Sequence, residues 1–232
     1  MRRSIAKASL HTAANLLFFT LIGTAMLALT YNLTHDTIAQ SVENEKLKLV
    51  SQIAPASAYD NDIMKDTAEL AADELLGTKT PTTIYRGRLN GEPSIVVLQA
   101  IAPDGYSGRI DLIVAVHRDG RLGGVRVVAH KETPGLGDYI EIAKGNWITG
   151  FDGLTLAGRK DADWKVKKDG GTFDYVAGAT ITPRAVVKAV HKALRYAEQH
   201  HEELFADVGA RRAVPMPVPE QKPLAPPLEN AK

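Results

Sequence analysis

From residue 12 to residue 33 the chain carries no charged side chain, and the centre of this run reads Leu16-Leu17-Phe18-Phe19-Thr20-Leu21-Ile22. About 20 mostly apolar residues suffice for a helix to cross the hydrocarbon core of a bilayer, so the run predicts a membrane-spanning helix. It is apolar on every face, unlike the one-sided helix of a soluble domain. Arg2, Arg3 and Lys7 precede it without an acidic residue, and Asp36, Glu43 and Glu45 follow it. An excess of Lys and Arg marks the cytoplasmic flank, which puts the N-terminus inside and the remainder outside. A cleaved signal peptide shares the basic start and apolar stretch; the length of the run favours a permanent anchor.

After the apolar run the pattern turns polar. Residues 36–49 hold no proline or glycine, and extend the helix outward. A further helix is expected over residues 64–76, ended by Gly77. From residue 82 the periodicity becomes that of strands. Thr83-Ile84-Tyr85-Arg86 and residues 95–102 are two of them, with the hairpin signal Asn90-Gly91 between. Residues 110–116 and 122–129 are two more, joined through Asp119-Gly120. Short turns make neighbouring strands antiparallel, so residues 82–130 predict an antiparallel sheet. A helix over 139–148, a short strand at Trp164-Lys165-Val166 and a turn at Asp169-Gly170-Gly171 follow. Pro183 then opens a strong helix as its first residue, with Val187, Val190, Leu194 and Ala197 on one face and its end near Val208-Gly209. The expected fold is α+β: one N-terminal transmembrane helix, then a mixed, mainly antiparallel sheet domain with flanking helices. The boundaries are 1–10 for the inner terminus, 11–34 for the membrane helix, 35–81 for a juxtamembrane helical region and 82–210 for the domain. Residues 211–232 form a tail.

Composition narrows the chemistry. The net charge is +1 and there is no cysteine. The first argues against nucleic-acid binding, which needs a basic patch. The second excludes Cys-ligated iron–sulfur clusters, thiol-attached haem and Cys-based zinc sites. The tail carries Pro215, Pro217, Pro219, Pro223, Pro226 and Pro227, a composition that favours extended chain; a disordered tail or a strap across a partner are the two readings. There is no internal repeat. His200 and His201 are adjacent and cannot face one ligand on a helix, and His191 lies too far along to join them, so no metal site is expected. No dinucleotide-binding glycine pattern and no Ser-His-Asp arrangement appears.

The informative stretch is Asp174-Tyr175-Val176-Ala177-Gly178-Ala179-Thr180-Ile181-Thr182-Pro183. Small residues leave the Thr180 hydroxyl little shielded, and Gly178 permits close approach. A helix start follows at once, where unpaired amides and the helix dipole favour a phosphate. The plain alternative is a loop with Thr182 as helix N-cap.

This segment resembles the flavinylation motif of flavin-linked electron-transfer proteins, in which a dedicated transferase joins FMN to a threonine by a phosphoester. The resemblance makes Thr180 the acceptor and Asp174 the acidic position. It also places Ala177, Gly178 and Ala179 beside the cofactor. At Ala177 the motif usually has Ser or Thr. Further stretches are similar to the G subunit of Rnf-type ion-translocating electron-transport complexes (also called Rsx). They are Ala102-Pro103-Asp104-Gly105-Tyr106-Ser107-Gly108, His130-Lys131-Glu132-Thr133-Pro134-Gly135-Leu136-Gly137-Asp138, residues 164–171 and residues 180–187. The match covers roughly residues 1–208.

The resemblance implies a membrane-anchored flavoprotein with covalent FMN, acting as an electron relay and not catalytic alone. It implies a single-pass protein of the bacterial inner membrane, with a periplasmic domain. The implied partners are the other membrane and iron–sulfur or flavin subunits, the flavin transferase and the bilayer. Glu132, Thr133, Pro134, Gly135, Leu136 and Gly137 become a flavin-side loop, with Leu136 and Pro134 lining the ring. Lys167 and Lys168 are placed near phosphate or ring, or else are solvated surface lysines; Arg184 is the better phosphate contact. Two rivals remain: the related C subunit of sodium-translocating NADH:quinone reductase, and a non-catalytic tethered scaffold or sensor.

Overall fold

The computed structural model describes residues 2–206. The expected helix end at Val208-Gly209 and the proline-rich tail lie outside the described residues.

One helix, α1 (Arg2–Ile53), accounts for the whole N-terminal region. Its segment Leu10–Ile38 is the one helical stretch among the described residues long and apolar enough to cross a membrane, and none of it is buried by protein. The polar continuation needs no helix break, and its last turn stops being solvent-facing. Val50 and Ile53 are buried, followed by Ala54. Val50 lies beyond Ile38 by a helical rise of roughly 18 Å.

The sheet has five antiparallel strands in sequence order, β1 (Thr67–Leu70), β2 (Thr82–Leu89), β3 (Glu92–Gly105), β4 (Gly108–His117) and β5 (Leu122–Ala129). The β2–β3 turn is tight because Asn90 and Gly91 both take positive φ, 54° and 84°, the geometry that matches strand twist. Alternation divides each strand between two cores. Leu98, Ala100, Leu112, Val114 and Val125 meet α2 (Ile181–Gln199) through Val186, Val187, Val190 and Leu194. Ile95, Val97, Ile113 and Ala115 face the opposite side, against Val50 and Ile53 at the end of α1. The last turn of α1 and the helix that follows Thr180 therefore pack on opposite faces of one sheet. A short α3 (His201–Leu204) closes the described chain.

Four expectations need correction. The stretch expected as a helix over 64–76 contains β1, an edge strand held by tertiary contacts. Asp66 bonds Arg86 and Arg88, each at 2.6 Å, which fastens this segment to β2. The region before residue 82 is thus partly sheet, not wholly helical. The helix expected over 139–148 is two short 3-10 turns, Asp138–Ile140 and Trp147–Phe151, on either side of Gly145 and Asn146. The strand at Trp164-Lys165-Val166 reduces to one parallel bridge between Val166 and Phe173. Helix α2 begins at Ile181, so Pro183 is its third residue and not its first.

Candidate functional site

The loop that ends at Thr180 is laid over aromatic rings. Trp147 donates from Nε1 to the carbonyl of Asp174 at 2.8 Å. Tyr139 packs edge-on to Trp147, and Trp147 edge-on to Phe151. Burial pushes the Tyr139 phenol up to about 12, so it stays a neutral wall of the loop. Residues 174–178 are exposed, whereas Ala179 and Thr180 turn inward. Gly178 makes that turn with φ +89°, and a side chain there would point into open space.

Thr180 is the residue immediately before α2, in helical conformation (φ −79°, ψ −27°). Its hydroxyl makes no capping bond, yet it is not sealed among the buried unpaired atoms. The Thr180 carbonyl accepts from the Arg184 amide. No described residue accepts from the amides of Ile181 and Thr182, as expected for a helix start. Thr180 is 9% exposed, and a hydroxyl without a capping bond beside free, dipole-aligned amides suits a phosphate group.

Thr182 does not cap the helix, contrary to the sequence reading. It is the second helical residue, 1% exposed, and its hydroxyl donates to the Glu132 carboxylate. That bond brings the 132–137 loop to the helix start. Gly135 donates its amide to Asp138 Oδ1 at 2.8 Å, which tightens the loop. Pro134 and Leu136 remain on its outer side, and Leu136 is half exposed. Tyr175, Val176 and Ile181 also show apolar surface to solvent. These side chains flank Thr180 in sequence or across the Glu132–Thr182 bond, and offer apolar area that a flat ring would cover. The residues present therefore fit a flavin held by its phosphate at Thr180.

The basic residues are arranged differently from expectation. Arg184 grips Asp169 through Nε at 2.6 Å and Nη2 at 2.9 Å. The hydrogen bond from Arg184 holds the Asp169 carboxyl below its ordinary range. Lys167 contacts the Asp174 carboxylate, so the acidic motif position is charge-paired. Lys168 is exposed on a 3-10 turn, Lys167–Asp169. Ser107, Trp147 and Asp169 were not assigned roles from sequence. Ser107 and Asp169 lay within stretches similar to the G subunit, and Trp147 is an aromatic residue in a glycine-rich stretch.

His191 stacks on Trp164 with ring centroids 5.0 Å apart. Among the described residues no cluster of His, Asp and Glu is arranged to hold a metal ion.

Comparison with known proteins then decides the family. A family model described as an FMN-binding domain matches residues 105–195, and one described as the RnfG N-terminal region matches residues 1–53. The G subunit of the ion-translocating oxidoreductase complex of Pseudomonas aeruginosa (strain UCBPP-PA14) is 50% identical over 206 residues, 89% of this chain and 96% of the relative. The protein of that name from Aliivibrio fischeri (strain ATCC 700601 / ES114) is 46% identical, over 82% of this chain and 90% of its own length. The one from Vibrio cholerae serotype O1 (strain ATCC 39541 / Classical Ogawa 395 / O395) is 45% identical, over 80% and 88%.

The chain belongs to the family of G subunits of ion-translocating oxidoreductase complexes.

As a member of this G-subunit family it carries an FMN-binding domain, and the family's N-terminal region spans α1. Thr180, Glu132 and the β3–β4 turn at Ser107 all fall within residues 105–195. The sheet's two ends differ in this respect, since β1 and β2 lie outside the FMN-binding match.

Proposed function

We propose that this chain is the membrane-anchored flavoprotein subunit of an Rnf-type ion-translocating oxidoreductase, relaying electrons through FMN joined by a phosphoester to Thr180. The observation that carries the reading is the Thr180 hydroxyl, without a capping bond, on a residue 9% exposed at the amide end of α2 within the FMN-binding domain. In attachment the Thr180 oxygen would bond the flavin-side phosphorus of an activated flavin dinucleotide, the P–O bond to the departing nucleotide monophosphate would break, and the Thr180 proton would pass to a base of the transferase. The free amides of Ile181 and Thr182 would offer hydrogen bonds to the resulting phosphodiester. Bound FMN supplies one- and two-electron transfer, and the protein supplies place and surroundings.

Leu136, Pro134 and Val176 give the ring apolar contact. Asp174 is neutralised by Lys167 and adds little repulsion toward the phosphate. Arg184 and Lys168 lie nearby, and Arg184 reaches a phosphate only by leaving Asp169. The charge bias around α1 supports a cytoplasmic N-terminus and a periplasmic domain in the inner membrane. The partners are the other subunits of the complex, a flavin transferase during maturation and the lipid bilayer.

The test is to co-express the tagged full chain with a flavin transferase and the native neighbouring subunits. Flavin fluorescence should survive denaturing electrophoresis, and membrane subunits should co-purify. A chain that carries covalent flavin but co-purifies with quinone-reductase subunits would support the C-subunit rival. A chain with neither would fit a scaffold.

A further inference from the structure

We infer that Glu132 is a positioning residue of the attachment site: its buried carboxylate latches the β3–β4 hairpin tip to the start of α2 and so fixes the presentation of Thr180. The inference rests on Thr180 being the attachment residue.

Glu132 is 4% exposed. Its Oε1 accepts from the Ser107 amide at 3.0 Å, and its Oε2 accepts from the Thr182 hydroxyl. A buried carboxylate is tolerated only when its oxygens are paired, and here each oxygen has a donor. Neither donor is a cation, so the bonds serve geometry and not charge neutralisation. The main chain of Glu132 is fixed as well. Its amide donates to His130 Nδ1 at 2.9 Å. That bond leaves the His130 proton on Nε2, which faces Glu141 Oε1 at 2.5 Å.

The surroundings leave no slack. A Cβ on Gly105 would lie 2.8 Å from Glu132 Oε1. A Cβ on Gly137 would lie 2.9 Å from Glu132 Cβ and 3.0 Å from the Thr182 hydroxyl. Glycine at both positions lets three segments converge on one carboxylate: the hairpin tip, the 132–137 loop and the first turn of α2.

Thr180 needs such a support. Residues 174–178 before it are exposed and include Gly178 at positive φ, and α2 has no side-chain cap. An uncapped first turn frays, and fraying would carry the Thr180 hydroxyl away from the amides beside it. Glu132 takes over the task of a cap from the second helical residue. It acts through Thr182, not by touching the cofactor.

The experiment uses the full chain in membranes, accumulated first and then exposed to induced transferase. The rate of FMN-mass addition is followed by peptide mass spectrometry, and folding by cooperative thermal unfolding. Thr182→Val removes one donor and nearly preserves volume, while Glu132→Ala removes both acceptors. Each should slow attachment by about tenfold or more, the scale set by one hydrogen bond to a charged group. Glu132→Gln keeps an oxygen for Ser107 and offers an amide to Thr182, so its rate should stay within about threefold of wild type. The double variant Glu132→Ala/Thr182→Val should be no slower than Glu132→Ala alone, because both changes break one contact. Wild-type rates in folded Thr182→Val overturn the latch, and this variant decides alone should Glu132→Ala fail to fold. A Glu132→Gln protein as slow as Glu132→Ala also overturns it, since charge and not hydrogen bonding would then be the requirement. Absence of FMN from the wild type, with a control acceptor labelled in the same cells, refutes instead the attachment reading beneath it.

Discussion

Arg126 donates from Nε to Gln52 Oε1 at 2.9 Å, joining the last turn of the membrane helix to the edge strand β5. Burial lowers the pKa of this guanidinium, with Asp152 opposing the shift. Beside it, Gly124 lets the helix end approach: a Cβ there would meet Ile53 Cγ2 at 2.8 Å. The anchor is thus docked on the sheet face opposite α2, and the domain is not a body on a loose tether.

That docking predicts two stability losses. Gln52→Ala leaves Arg126 short of a partner and should cost about 1–3 kcal/mol. Gly124→Val forces the helix end outward and should cost about 1–3 kcal/mol through overpacking. Thermal unfolding of the full chain in detergent measures both. Unchanged midpoints would mean that the end of α1 does not bear on the domain.

Thr180 should be the single point of covalent attachment. Thr180→Ala and Thr180→Val should abolish flavin fluorescence in denaturing gels and leave a folded membrane protein. Thr180→Ser retains a hydroxyl and should keep part of the labelling. Peptide mass spectrometry with the transferase co-expressed checks the site, and an FMN-sized mass on Thr182 contradicts the assignment. Thr182 is a poor acceptor on structural grounds, being 1% exposed with its hydroxyl bound to Glu132.

The anchor makes a separate claim. Replacing Leu21 and Ile22 together by arginine puts two charges in the apolar run, each costing about 2.5–3.5 kcal/mol on insertion scales. The chain should then lose stable membrane retention. In the wild type, a reporter active only after export and fused after Ala206 should be active. Activity of a cytoplasm-only reporter at that junction would reverse the proposed topology.

Acid should loosen the packing of α2. Burial lowers the pKa of His191, aided by Arg195 and opposed by Asp161. A histidine with a depressed pKa in the fold takes up its proton more readily when unfolded. Its contribution is therefore present above the ordinary value of 6.5 and is lost as pH falls below it. His117 is lowered by burial too and adds the same sign. The unfolding midpoint should drop as pH is taken from about 7.5 to about 5.5, and His191→Phe, which can still stack on Trp164, should reduce the drop without removing it. An identical pH profile for the variant would show that His191 is not held neutral.

Several features were legible because their causes are local. A charge-free run announces a spanning helix at any position, and α1 contains it. Asn90-Gly91 selects a tight hairpin whatever surrounds it. The alternation of Ile110, Leu112, Val114 and Val116 marks one buried strand face, and α2 shows its packing side through Val187, Val190 and Leu194. Gly178-Ala179-Thr180 stands out as a candidate for an equally local reason, small residues just before a helix start, although Thr180 itself is 9% exposed.

What the tertiary structure alone decided depends on residues far apart in sequence. Residues 67–70 have no strand signal strong enough to outweigh a helical reading; β1 exists because β2 supplies a ladder and Arg86 and Arg88 hold Asp66. Thr182 looks like an N-cap by a rule that sees only neighbours, whereas its true partner is Glu132, fifty positions away. Arg184 was matched to a phosphate by proximity to the helix start, but Asp169 is near enough in space to bind it in two places. Sequence determined which side chains could do chemistry here, because residue type and local backbone carry that information. Which of them are held ready and which are already engaged was decided by the fold, since hydrogen bonds and ion pairs form between whatever groups packing brings within about 3 Å.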